Sequence, residues 1–370
     1  MKRTESIYLS LLRAGLWDTK AHLEGAIDWK AVLALAYRQS TAGLICHAAL
    51  QLECGQIPSA IQTQMQAILM KFVNAHAMTN RTIARTVAML QEKGIHVVLL
   101  KGQGVASYYA APLLRQCGDI DLYVDDYAVA CDSIMTDDGG RRTEDGGRKA
   151  LALSRSEATD KHTEFDLGGG LSLEIHEYTE TLDDAKKNVM YQTFSDEGTT
   201  TGLVPIVFNG VSVPTPEDTF NAFYIFHHLW HHTIGLGMGL RQVCDWAVFL
   251  RTHAGQLDEE RLRHYLKAMN LMDEWQVFGS LVVHCLHLKA EEIPFYSSKN
   301  DRRGRRLLHY ILNEGDNRDF KFGRSTQRTK KKAATLRYIF SKTRRLLPIF
   351  PRRAMTYFLS GIWSGVKNLF

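Results

Sequence analysis

The sequence predicts an α+β fold in which a small mixed sheet is flanked by N- and C-terminal helical regions. Three observations carry this expectation. Apolar residues recur at three- and four-residue spacing from Ser6 to about Glu92, and again beyond Pro216. Between these stretches the pattern changes to short β-branched runs with period-two alternation, bounded by glycines. The composition is that of a globular chain, with 45% hydrophobic and 23% charged residues over 370 positions. That is enough to bury a core in two or three lobes, and it excludes a wholly disordered protein.

The first helical region is expected over residues 1–93. It contains WKAVLALAYRQSTAGLICHAAL and, after Pro58, the long stretch SAIQTQMQAILMKFVNAHAMTNRTIARTVAMLQEKG. Gly94 stands where a helix-ending glycine belongs. Ile95 to Leu100 is an aliphatic, β-branched run between Gly94 and Lys101-Gly102 and reads as a buried strand. VASYYAAPLL follows as a short helix stopped near Pro112. Asp119 to Val124 alternates polar and apolar residues, so it reads as a strand with one buried face and one facing a cleft.

Tyr127 to Met135 is predicted helical, and the polar, glycine-rich stretch 136–149 a mobile loop. His162–Leu167 and Leu171–His176 read as a hairpin about Gly168-Gly169-Gly170, and Val204–Val213 as another about Asn209-Gly210. These strands define an expected core at 94–215. Helical spacing returns over 217–233, 240–253 and 258–288, giving a helical domain at 216–300 and a basic C-terminal region at 301–370.

Asp119 and Asp121 lie two apart on a predicted strand, so both side chains leave one face while Ile120, Leu122 and Val124 point into the core. Carboxylates that close repel, and one pKa rises unless positive charge sits between them. A hard divalent ion such as Mg2+ supplies that charge. A third carboxylate on a neighbouring strand would complete a two-metal site. Glu174 is the candidate, since Leu173 and Ile175 alternate to one face while Glu174 and His176 go to the other. The competing reading is an exposed strand face whose acids are merely solvated, and a bare Asp-x-Asp pair does not decide between the two.

Lys101-Gly102-Gln103-Gly104 adds a strand that runs into a glycine turn and a helix, which offers backbone N–H groups to a phosphate. It is neither a Walker A loop nor GxGxxG. Arg115 is equally suited to a phosphate, through its planar guanidinium, and to a surface salt bridge.

The run LLKGQGVASYYAAPLLRQCGDIDLYV resembles the signature of an uncharacterised bacterial nucleotidyltransferase family of the polymerase-β superfamily. The matching positions are Lys101, Gly102, Arg115, Gly118, Asp119 and Asp121, and Leu173-Glu174-Ile175-His176 is similar to the family's Glu-x-His strand. His162 falls where such proteins place a histidine before that strand. FHHLWHH and GLRQVCDWAVFL are similar to the family's helical half, so the likeness runs in outline from Arg81 to Met272. Gln103 after Gly102 departs from the broader superfamily, as does the Gly-, Arg- and Asp-rich segment before Glu174.

The resemblance implies a sheet of the polymerase-β nucleotidyltransferase type. It further implies Mg2+ or Mn2+ held by Asp119, Asp121 and Glu174, and an NTP donor bound through Lys101, Gly102, Arg115 and Gly118. His162, His176, His231 and Arg241 become candidate substrate contacts. The acceptor is not named by it.

His227, His228, His231 and His232 give two i, i+4 pairs with zinc-chelating spacing, but no glutamate stands in an HExxH position. A helix flank with some core-bonded histidines is the favoured reading, and His231 or His228 facing the cleft an intermediate one. Arg241 and Asp245 are one turn apart and can pair with each other.

The net charge is only +5, yet the arginines and lysines crowd the chain beyond Ala290. This implies an anionic membrane surface or a polyanion as partner for that end. RRAMTYFLSGIWSGVKNLF suits either a helix docked on the body or one lying in a membrane interface. Six cysteines without a CxxC read as reduced thiols, and no apolar run is long enough to span a membrane. The expected location is therefore cytoplasmic, peripheral to the membrane if the C-terminus binds it. Two other functions remain open: a non-catalytic module that binds through the basic C-terminus, and transfer of a sugar or phosphate group to a peptide or glycan.

Overall fold

A computed structural model describes residues 2–53, 55–136, 154–158, 162–168, 170–235, 237–314 and 338–367. Two compact units make up the chain. The first comprises residues 1–61, 226–255 and 270–370, and the second 62–225 and 256–269.

The N-terminal periodicity becomes α1 (Arg3–Trp17), α2 (Trp29–Arg38), α3 (Ala42–Leu50) and the long α4 (Ser59–Glu92). Gly94 ends α4 at φ 79°, and the Ile95 N–H donates back to the Leu90 carbonyl. In the first unit α9 (Leu240–Thr252) and α11 (Met272–Leu286) bring Trp246 and Trp275 together edge to face, with ring centroids 4.8 Å apart. The same unit holds α12 (Asp301–Glu314), α13 (338–346) and α14 (Pro351–Lys367).

The second unit is built on a five-stranded sheet of β1 (Val97–Leu100), β2 (Ile120–Val124), β3 (Ser154–Ala158), β4 (His162–Asp166) and β5 (Ser172–His176), in the order β1-β2-β5-β4-β3. β2 and β5 run parallel and the other neighbours antiparallel, so the sheet is mixed as expected. One face carries Leu99, Leu122 and Ile175, which pack on Ile83, Val87 and Leu90 of α4. β6 (Val204–Phe208) and β7 (Val211–Thr215) form the second hairpin, turned by Asn209 and Gly210 at φ 48° and 84°.

Several elements differ from the sequence reading. The short helix α5 is Gly102–Ala106 and not 105–114; Pro112 opens a separate 3-10 turn, because its fixed φ suits a first helical position. α6 (Tyr127–Thr136) is as predicted, and the glycine-rich loop 137–149 lies outside the described residues. α7 (Ala185–Thr200) has no apolar stripe to announce it, and Asp184 starts it by accepting the Lys187 N–H at 3.1 Å. α8 (Asp218–Ile234) agrees with expectation, whereas the stretch 258–288 divides into α10 (Glu259–Ala268) and α11 around Asn270 at φ 56°.

Candidate active site

The register of the sheet decides which side chains meet. Leu100, Asp121, Glu174 and Glu164 are successive partners across β1, β2, β5 and β4, and Val98, Tyr123, His176 and His162 make the next row. By the period of two, both rows leave the face opposite Leu99, Leu122 and Ile175. The strand alternation thus places Asp121, Glu174 and two histidines side by side.

Asp121 is the buried centre of this cluster. Its Oδ1 lies 3.0 Å from Lys101 Nζ and 3.2 Å from His176 Nε2, and that same Nε2 is 3.1 Å from Glu174 Oε2. His162 Nε2 is 3.8 Å from the same glutamate oxygen, and the rings of His162 and His176 are 5.0 Å apart. Lys101 Nζ also stands 6.0 Å from the centre of the Tyr224 ring.

Lys101 reaches Asp121 from a turn that glycine would adopt more easily, at φ 48° and ψ −142°. Holding a lysine there costs about 1–3 kcal/mol. Gly102 follows at φ 42°. A Cβ on Gly102 would meet the Asp119 carbonyl at an ordinary 3.5 Å, so the backbone angle and not space selects glycine.

The opposite charges shift one another's pKa values. Burial alone would raise Asp121, but Lys101 and the His176 hydrogen bond hold it well below the usual carboxylate range. Burial likewise opposes protonation of Lys101 and His176, yet Asp121 and Glu174 more than offset it and raise both.

The remaining candidates are placed as follows. Asp119 is exposed, in the segment just before β2 begins, with Gly118 half-buried beside it. Arg115 is buried, which removes the surface salt bridge reading. Its carbonyl accepts from His76 Nε2 at 2.5 Å, and Gln103 Nε2 donates to His76 Nδ1 at 3.0 Å and to Asn80 Oδ1 at 2.7 Å. His76 is therefore a neutral ring with its proton on Nε2, in keeping with a pKa lowered by burial. These bonds tie α4, the Lys-Gly turn and the Arg115 segment together.

His231 is exposed in the last turn of α8 and Arg241 half-buried at the start of α9; both belong to the first unit, while the cluster lies wholly in the second. Among the described residues, the group able to converge on a metal ion is His162, Glu174 and His176, with ligand atoms all within 4.8 Å of one another.

Sequence reasoning missed Glu180 and Tyr224. Glu180 is buried after β5, and its charge acts on both Lys101 and Tyr224. Burial, Asp121 and Glu180 together push the Tyr224 hydroxyl pKa well up.

A family model described as an uncharacterised nucleotidyltransferase matches residues 25–287, well over half of the chain. The chain belongs to this family. It is accordingly an enzyme of nucleotidyl transfer, and its mixed sheet flanked by helices agrees with that fold. No curated protein and no solved structure matches it. The match to this nucleotidyltransferase contains every residue of the cluster and ends just past α11, so α12 to α14 lie beyond it.

Proposed function

We propose that this nucleotidyltransferase uses one or two Mg2+ or Mn2+ ions on Asp119, Asp121 and Glu174 to move a nucleotidyl group from an NTP to an acceptor hydroxyl or phosphate. The observation that carries this is the convergence of Asp121 and Glu174, from adjacent parallel strands, on the one Nε2 of His176. Two carboxylates aimed at one point fit a hard cation as well as they fit an N–H. When bound, such an ion would neutralise the triphosphate and the developing charge on the leaving group.

The protein's own part is positioning. Lys101, with Gly102 and Gly118 giving room for close backbone approach, would hold phosphate oxygens. Arg115, braced through His76 and Gln103, would fix its segment against the turn. An acceptor oxygen would attack the α-phosphorus in line, the bond to the β-phosphate oxygen would break, and pyrophosphate would leave. His162 and His176 would touch substrate.

The test is to incubate the protein with NTP radiolabelled at either the α- or the γ-phosphate in an extract that supplies acceptors. Label should move from the α position alone, and Asp119→Asn should abolish it with the fold intact. Transfer from the γ position would make the protein a phosphotransferase.

An anionic partner for the C-terminal region is favoured by a separate observation. A cavity of about 700 Å³ in the first unit has Arg302, Arg305, Arg306 and His309 in its lining beside Tyr310, Pro348 and Ile349, with Arg345 there paired to Glu314. Binding there should weaken steeply with salt and ignore Asp119.

A further inference from the structure

The two histidines beside Glu174 suit a different metal from the one the carboxylates suit. Mg2+ and its relatives take oxygen donors, whereas imidazole nitrogen favours later first-row ions such as Zn2+. His162 and His176 face each other directly across β4 and β5, and both direct Nε2 towards Glu174 Oε2, at 3.8 and 3.1 Å.

The shorter separation is also that of a hydrogen bond, so it is the longer one that points to a coordination sphere. Donors on a tetrahedral zinc with bonds of about 2.05 Å stand roughly 3.3 Å apart. The 3.1 and 3.8 Å distances bracket that value, and 3.8 Å is too long for a hydrogen bond. A two-His, one-Glu set is also a donor combination that leaves a fourth position open.

We propose that His162, Glu174 and His176 bind a borderline transition ion of the Zn2+ type, through a donor set that shares only Glu174 with the Asp119–Asp121–Glu174 carboxylates. The proposal rests on reading Glu174 as a metal ligand. His176 Nδ1 is buried with no hydrogen-bond partner among the described residues. Zinc-bound histidines are normally braced through that second nitrogen. Binding here is therefore weak and exchangeable rather than structural.

Full-length protein freed of metal by a chelator is titrated with Co2+, which reports its ligands by visible absorption. One equivalent should bind with tetrahedral-type intensity, be displaced by Zn2+, and resist a large excess of Mg2+. His162→Gln should weaken Co2+ binding at least about tenfold, since a lost second-shell partner alone costs roughly 10–100-fold. Circular dichroism checks that the variant folds. Pulsed EPR of the Cu2+-loaded wild type gives a reading that needs no variant, and it should show coupling to imidazole nitrogen.

No Co2+ uptake, uptake that Mg2+ displaces as readily as Zn2+ does, uptake unchanged in a folded His162→Gln, or absent nitrogen coupling would each overturn the proposal. No nucleotide enters these measurements, so the two readings fail separately. Nitrogen-ligated Co2+ in a protein that binds no NTP would leave this site standing and remove the nucleotide reading. NTP binding with Mg2+ but no Co2+ uptake would do the reverse.

Discussion

Lys101 carries two opposing contributions that a pair of substitutions can separate. Its side chain is 18% exposed and its ammonium sits 3.0 Å from Asp121, whose side chain is 9% exposed. Removing one member of a buried ion pair strands the other, at a cost of about 3–5 kcal/mol. His176 still faces Asp121 at 3.2 Å, so Lys101→Met should fall at or below the bottom of that range, about 2–3 kcal/mol. Lys101→Gly loses the same pair but relieves the backbone at φ 48°, a strain of about 1–3 kcal/mol. The glycine variant should therefore be the more stable of the two by about 1–2 kcal/mol.

All six tryptophans lie in the first unit, so their fluorescence cannot report the loss. Hydrogen exchange of peptides spanning β2 and β5, followed across a urea series, does report it. A methionine variant as protected as wild type, or a glycine variant no better than methionine, would refute the reasoning.

Three further outcomes follow from the second unit. Gly198→Ala puts a Cβ 2.3 Å from Phe220 Cγ, so it should destabilise by about 1–3 kcal/mol although alanine is the better helix former; unchanged exchange protection of α7 would count against that packing. His76 has a lowered folded pKa, so its contribution is fully present above pH ~6.5 and is lost as pH falls through the folded value. As pH falls below about 6.5, wild type should lose protection in β1 and α5 faster than His76→Gln does, and parallel curves would contradict this. Asp119 is exposed, so Asp119→Asn should leave thermal stability within about 1 kcal/mol of wild type while removing transfer.

Much of the cluster is legible in the sequence because strand alternation is a strong constraint. Once β2 and β5 are recognised, Asp121, Glu174 and His176 must leave one face, and glycines mark where Lys101 turns. The pairing was legible in part: the hairpin about Gly168-Gly169-Gly170 sets β4 beside β5 with His162 facing His176, whereas only the register shows that Asp121 sits beside Glu174.

Tyr224 was hidden because a tyrosine within a regular apolar stripe on α8 reads as core. Glu180 belongs to no repeating pattern at all. His76 and Gln103 are 27 positions apart on different elements, and nothing local announces that one donates to the other. α7 was missed for want of an apolar stripe, and the α10–α11 break because a left-handed Asn270 stands where glycine would have signalled it.

The central claim is that the Asp119, Asp121 and Glu174 carboxylates bind a nucleotide through metal. Isothermal titration of the full-length protein with ATP, GTP, CTP and UTP, with and without Mg2+, tests it most directly. One nucleotide should bind only when the metal is present, and Asp119→Asn should weaken that binding. Binding that ignores both Mg2+ and Asp119, or no binding of any nucleotide, would contradict the account.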